Sequence, residues 1–174
     1  MNAARPDRTE AAEYYFTYIN QVADGDICRI IDTQLPEALS VLGGVSDEQS
    51  LYRYAPDKWS IREVISHVND AERVFVSRAL WFARGFDTPL PSFDQNVAMS
   101  LANADQRSWR SHVEELQAVR SASSVLFRNL PEHAWERRGV ASGNPFTVRA
   151  LAYIVAGHLE HHFAILRRRY LPAL

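Results

Sequence analysis

Hydrophobic side chains recur at helical spacing in four separate stretches of this chain. Over residues 26–43, Ile27, Ile30, Ile31, Leu35, Leu39 and Leu42 share one face. Pro36 is expected to bend this helix and Gly43-Gly44 to stop it. The second helix begins at the capping box Ser60-Ile61-Arg62-Glu63, carries the stripe Ile61, Val68, Phe75 and Phe82, and runs to Arg84 before Gly85. The loop FDTPLPSFDQN follows, with two prolines that exclude regular helix, and a short helical turn is expected near 94–103. A third helix is expected from near Asp105 to Leu130, with Trp109, Val113, Leu116, Val119, Ser123, Leu126, Phe127 and Leu130 as its stripe. RRGVASGNPF reads as a loop, and Thr147 caps a fourth helix lasting to about Tyr170. Ahead of the first helix, the aromatic-rich AAEYYFTYINQVAD reads as a short helix or strap packed across the bundle.

No stretch alternates with period two for long enough to argue a sheet. The pattern predicts an all-α fold, a four-helix bundle in one domain, with a strap over 1–24 and the bundle over 25–174. Bundles of this class build metal and ligand sites in their cores.

Composition narrows the function. With 47% hydrophobic and 23% charged residues, the chain reads as an ordinary globular protein. A net charge of −2 gives nucleic acid or anionic lipid no attraction, so neither is expected as a partner. Lys58 stands alone among eighteen arginines and has no obvious apolar pocket to depress its pKa, which argues against Schiff-base chemistry. Cys28 is the single cysteine, so no internal disulfide and no cysteine-based zinc site can form. It reads as a small buried hydrophobe among Ile27, Ile30 and Ile31. MNAARPDRTEAAEYYF lacks the apolar core of a signal peptide, and no run approaches a membrane span. The expected location is the cytoplasm.

The candidate chemistry lies in AGHLEHHFAIL, which holds His158, His161 and His162. At 100° per residue, with His158 at zero, Leu151 falls at about 20°, Ile154 at about −40°, Val155 at about 60° and His162 at about 40°. His161 falls at about −60°, on the edge of this stripe, beside Arg168. His158 and His162 therefore point inward one turn apart, a spacing that lets two imidazoles reach one metal. Buried imidazoles need partners for their ring nitrogens, and a metal supplies one for both. A third ligand is required. His133 sits at a helix end beside Pro131, and His112 reads as a solvated surface residue on the flank of the third helix. His67 lies at the margin of the second helix's stripe, and periodicity leaves it open between ligand and half-buried surface histidine.

The pairing of YRYAPDKWSIREVISHVNDAERVF with the later AYIVAGHLEHHFAIL resembles the DinB/YfiT-like superfamily of bacterial four-helix proteins, over about residues 25–171. The resemblance implies that His67 joins His158 and His162 as ligands of one divalent metal ion, commonly zinc or nickel. It also implies an activity in which a low-molecular-weight thiol, such as bacillithiol, mycothiol or glutathione, serves as cosubstrate for transfer or isomerisation. The leading expectation is thus a metal-dependent S-transferase acting on small molecules, since the thiolate rather than the thiol attacks an electrophile. Arg62, Asn69, Asp70 and Arg78 are candidate supports on the second helix. One alternative is a hydrolase using water activated by the metal. Glu160 points away from the stripe and is a poor general base for it. The other is a bundle that binds metal or ligand without catalysis. Arg167-Arg168-Arg169 complements a helix C-terminus, and Trp59, Trp81, Trp109 and Trp135 read as core and pocket wall. Such bundles pair through a helical face, which leaves a homodimer open.

Overall fold

The computed structural model of the protein describes residues 4–174. Helix α1 (Phe16–Ile19) follows a 3-10 turn at Glu13–Tyr15, so the expected strap is built from these two short pieces, while its first three residues lie outside the described ones. The long helices are α2 (Ile27–Leu42), α3 (Ile61–Ala83), α5 (Trp109–Arg128) and α6 (Val148–Ile165). Helix α4 (Gln95–Ala102) fills the turn expected near 94–103. The fold is a four-helix bundle.

Local chemistry fixes each helix start. Asp26 accepts from the amides of Cys28 and Arg29 to begin α2. At α3 both arms of the capping box form: Ser60 Oγ accepts from Glu63 N at 3.0 Å, and Glu63 Oε2 accepts from Ser60 N at 2.8 Å. Ser108 caps α5 and Thr147 caps α6. The third helix therefore starts at Trp109 and not near Asp105. Residues 104–106 form a separate 3-10 turn, because Asn103 takes a left-handed φ of 49° and Arg107 is extended.

Helices α3 and α6 pack together, and each of α2 and α3 touches both α5 and α6. The two helices consecutive in the chain, α2 and α3, thus face each other across the bundle. Short loops would force them side by side, whereas the 43–60 connection is long enough to cross.

The segment read as a loop at 137–146 is in part a β-hairpin. Strand β1 (Arg138–Ala141) pairs antiparallel with β2 (Asn144–Thr147), Arg138 opposite Thr147 and Ala141 opposite Asn144. Ser142 and Gly143 both hold positive φ, 52° and 73°, the geometry of a tight two-residue hairpin turn. Leu90 adds a short parallel bridge, donating to Val140 O at 2.9 Å and accepting from Ser142 N at 3.0 Å. Four-residue strands carry too little alternation to show in the sequence pattern.

Two apolar clusters fill the bundle. One contains Phe16, Ile31, Phe82, Phe127, Trp135, Phe146 and the first half of α6; the other contains Leu42, Ile65, Trp109, Leu116, Phe163 and Tyr170. Between them lies a buried polar layer of His67 and Glu72 on α3, Arg120 on α5 and His158 on α6. Glu72 and Arg120 form an ion pair there, with Arg120 Nη2 2.8 Å from Glu72 Oε2 and both side chains at most 2% exposed.

Helix α6 is buried continuously from Ala150 to Leu159, as expected of a helix apolar on all sides. Gly157 lets α1 come close: a Cβ at that position would lie 2.1 Å from the Tyr18 carbonyl oxygen. Replacing Gly157 with Ala should therefore displace the strap and cost about 1–3 kcal/mol, the usual penalty of overpacking. Urea unfolding checks this against Gly44→Ala, whose Cβ would meet nothing closer than 3.6 Å. Equal stability of the two variants would show that the close approach is not a constraint.

Candidate metal centre

His67 projects from the second turn of α3, and His158 and His162 from successive turns of α6. Both helices turn these faces toward each other. His67 Nε2 and His162 Nε2 each lie 3.1 Å from His158 Nε2. One nitrogen from each of the three rings falls within 4.8 Å of the others, an arrangement that could hold a metal ion. Ligand nitrogens at about 2.0–2.1 Å from a tetrahedral zinc would stand roughly 3.3 Å apart, so the 3.1 Å spacings suit a shared cation. The donor set is all imidazole, which suits zinc, nickel and their neighbours better than magnesium or calcium.

Burial sets the charge of the centre. His67 and His158 are each 4% exposed, while the edge of His162 reaches solvent. Desolvation lowers the His67 pKa to about 4, and desolvation followed by repulsion from His67 and His161 lowers that of His162 to about 3. His158 is pushed well below its ordinary value, again chiefly by burial and then by its histidine neighbours. All three rings are neutral at pH 7, the form in which imidazole ligates.

Aromatic side chains surround the cluster. Trp59 lies 5.0 Å from His67, Tyr18 5.1 Å and Phe75 5.7 Å from His158, centroid to centroid. A cleft of about 200 Å³ reaches His67 and His158 along α3, lined also by Phe75 and Arg78. A second cleft, of about 300 Å³, reaches His162 from the side of Trp59, Lys58 and Tyr170.

The half-buried-surface alternative for His67 is excluded by its burial. His161 stands apart from the cluster of three: its Nδ1 lies 3.1 Å from Gln21 Nε2, and its ring stacks edgewise on Tyr18. The reading of His112 as a solvated surface residue is wrong. It is 0% exposed, with Nε2 2.9 Å from the Ala104 carbonyl oxygen, because the turn at 104–106 folds back over the start of α5. His133 is exposed in a 3-10 turn. Three of the four suggested supports serve the scaffold instead. Arg62 donates to Ser50, Asp47 and the carbonyls of Asp105 and Arg107; Asn69 donates to the His112 carbonyl; Asp70 pairs with Arg73. Only Arg78 lines a cleft with the histidines. The rings of Tyr18 and Phe75 had no distinguishing signal beyond belonging to aromatic or apolar stretches.

Fold and site together define a helical-bundle protein with a buried three-histidine cluster of metal-ligating geometry. The chain belongs to the DinB superfamily, whose model matches residues 30–166. Among solved structures it is similar to YfiT from Bacillus subtilis, described as a probable metal-dependent hydrolase with an unusual four-helix bundle topology. That likeness has a TM-score of 0.64 at 19% identity and covers 95% of this chain and 93% of that one. No curated protein gives a significant match.

The lowered pKa values fix a sign. Below pH 6.5 an unfolded chain protonates these histidines while the folded, metal-free chain does not, so stability falls as pH drops toward 4. Three such groups give a limiting slope of about 4 kcal/mol per pH unit, and His67→Gln should remove about a third of it. Urea unfolding of metal-free protein at several pH values measures this. A flat profile between pH 6.5 and 5 would mean that the rings are not desolvated.

Proposed function

We propose that this protein is a metal-dependent transferase that activates a low-molecular-weight thiol for attack on a small electrophile, with His67, His158 and His162 holding one divalent ion, zinc or nickel. The observation that carries this reading is the convergence of three neutral ring nitrogens in a buried layer. A divalent ion held there by three protein donors supplies Lewis acidity at an open position, lowering the pKa of a thiol or a water.

The chain's own side chains do the remaining work. The α3–α6 contact presents the imidazoles without rearrangement, and the rings of Trp59, Tyr18 and Phe75 exclude bulk water, which strengthens electrostatic interactions at the centre. Two clefts meet the triad from different sides, one at His67 and His158, the other at His162. That suits two reactants better than one. The metal-dependent hydrolase described for YfiT is the second reading. It would use water at the metal as nucleophile, and Asp57, in the lining of the cleft that reaches His162, is the carboxylate that could serve it as general base.

The partner is expected to be a small molecule and not a nucleic acid. No helix is long and apolar enough to cross a membrane among the described residues, and a thiol-using reaction suits the cytoplasm, where thiols stay reduced.

Metal analysis should find about one ion per chain in protein purified without chelator. His67→Ala, His158→Ala and His162→Ala should lose it, because two imidazoles hold the ion orders of magnitude more weakly than three. His161→Ala should keep it. Equal metal in all four variants, each first checked for folding, would remove the site. Glutathione or cysteine should then be arylated by 1-chloro-2,4-dinitrobenzene in a chelator-sensitive reaction. Chelator-sensitive hydrolysis of 4-nitrophenyl acetate with no such thiol reaction would favour the hydrolase instead.

A further inference from the structure

Three arginines are buried among the described residues: Arg62 and Arg78 at 5% exposure and Arg120 at 1%. Arg62 has Asp47 and Arg120 has Glu72 as counter-ion. Arg78 has none. Among the described residues no carboxylate lies within ion-pair distance of it. Its Nη2 donates to neutral acceptors, the Pro91 carbonyl at 3.0 Å and Ser142 Oγ at 2.9 Å, and the Tyr15 hydroxyl is its further partner. A desolvated guanidinium with no negative partner is costly, and a fold keeps one only where something offsets it.

Position indicates what that is. Arg78 lies eleven residues beyond His67 on α3, three turns on and near the same face, about 16 Å along the axis. Helical side chains lean toward the N-terminus, and the longer arginine reaches back further along α3 than the His67 imidazole does. His67, Ala71, Phe75 and Arg78 line one continuous cleft, with Tyr15 and Phe93 as apolar wall. Neutral bonds to the 85–94 loop and to the hairpin turn fix the guanidinium while leaving its charge unmatched.

We propose that this cleft takes a carboxylate-bearing small molecule, whose carboxylate pairs with Arg78 while its apolar body lies between Tyr15 and Phe75 and its reactive end reaches His67 and His158. This rests on reading the histidine cluster as the reaction centre, but its selectivity for an anion does not depend on turnover. Arg78 is then the residue that determines specificity. Lysine could supply the charge but not the five N–H groups that let Arg78 hold Pro91 and Ser142 through Nη2 and still offer donors to a solute.

The test is calorimetric binding of 3-phenylpropanoate and its neutral counterpart, 3-phenylpropanamide, to the full chain with and without bound metal. The acid should bind about tenfold better or more in both forms, the order expected of a charge-assisted bond over a neutral one. Arg78→Gln should bring acid and amide within about twofold, and Arg78→Lys should keep part of the difference. The acid should also raise the melting temperature of the wild type and not of Arg78→Gln. The proposal is overturned by equal affinities in the wild type, by a preference present only with metal, or by an acid-induced rise in melting temperature that survives in Arg78→Gln. The wild-type comparison decides even if the glutamine variant fails to fold. On the metal-loaded chain, competition by ω-mercaptoalkanoates of about two to ten methylenes against the matching alkanoates separates the two sources of the carboxylate, because the probe must span most of the roughly 16 Å between Arg78 and His67 along α3. A gain from the sulfur that requires the metal assigns the anion to the thiol, and no gain assigns it to the electrophile. Failure of thiol transfer with a persistent acid preference would sink the proposed function and leave the anion site standing.

Discussion

The structure depends on the desolvation of one polar layer in the middle of an otherwise apolar bundle. Helix α6 runs through the protein with every residue from 150 to 159 buried, so the His158 ring is almost wholly desolvated and meets water only at the end of the cleft. Its ring must find partners on α3 and on the next turn of its own helix, and it finds His67 and His162. The packing that excludes water from these rings also keeps them neutral. Stability and ligand chemistry therefore have the same cause. The Glu72–Arg120 pair in the same layer obeys the same logic: each member is tolerable only because the other is there, and removing one would leave a buried charge worth about 3–5 kcal/mol of destabilisation.

The strap is part of this arrangement. Gly157 removes the side chain that would hold α1 away from α6, and the contact it permits sets Tyr18 edgewise against both His158 and His161. Gln21 ties the strap to His161 from the other direction. His161 thus works on the outside of α6 as an anchor, while its neighbours at 158 and 162 face inward. Adjacent residues on one helix take different roles because 100° of rotation separates a buried face from an edge.

How much of this was legible in the sequence follows from the range of the interactions concerned. The capping box at Ser60 and the caps at Asp26 and Thr147 are local, and the helices they start begin where the periodicity put them, although the last leaves α geometry at Ile165 for a π-helical turn over Leu166–Tyr170. The inward direction of His158 and His162 is local too, because it needs only the pitch of one helix. His67 could not be placed in that way. Its burial depends on which helix α3 faces, and connections as long as 43–60 leave that choice to tertiary packing. His112 was misread for a similar reason, since the turn that covers it comes from outside α5. The hairpin at 138–147 escaped because each strand offers four residues and Pro145 interrupts the second.

The three buried arginines show why a uniform rule for burial misses function. By composition they are alike, and by exposure nearly so, yet Arg62 and Arg120 each close a local charge balance and Arg78 does not. Neutral hydrogen bonds satisfy individual N–H groups but do not cancel a charge, so the field of Arg78 remains directed into the cleft that leads to the histidines. A scaffold shaped by stability alone would place a carboxylate there or an apolar side chain of similar volume. Keeping the unmatched cation beside a cluster of neutral imidazoles gives the cleft a positive end and an apolar middle. An anionic, partly apolar solute therefore gains affinity at one end while its other end is delivered to His67 and His158.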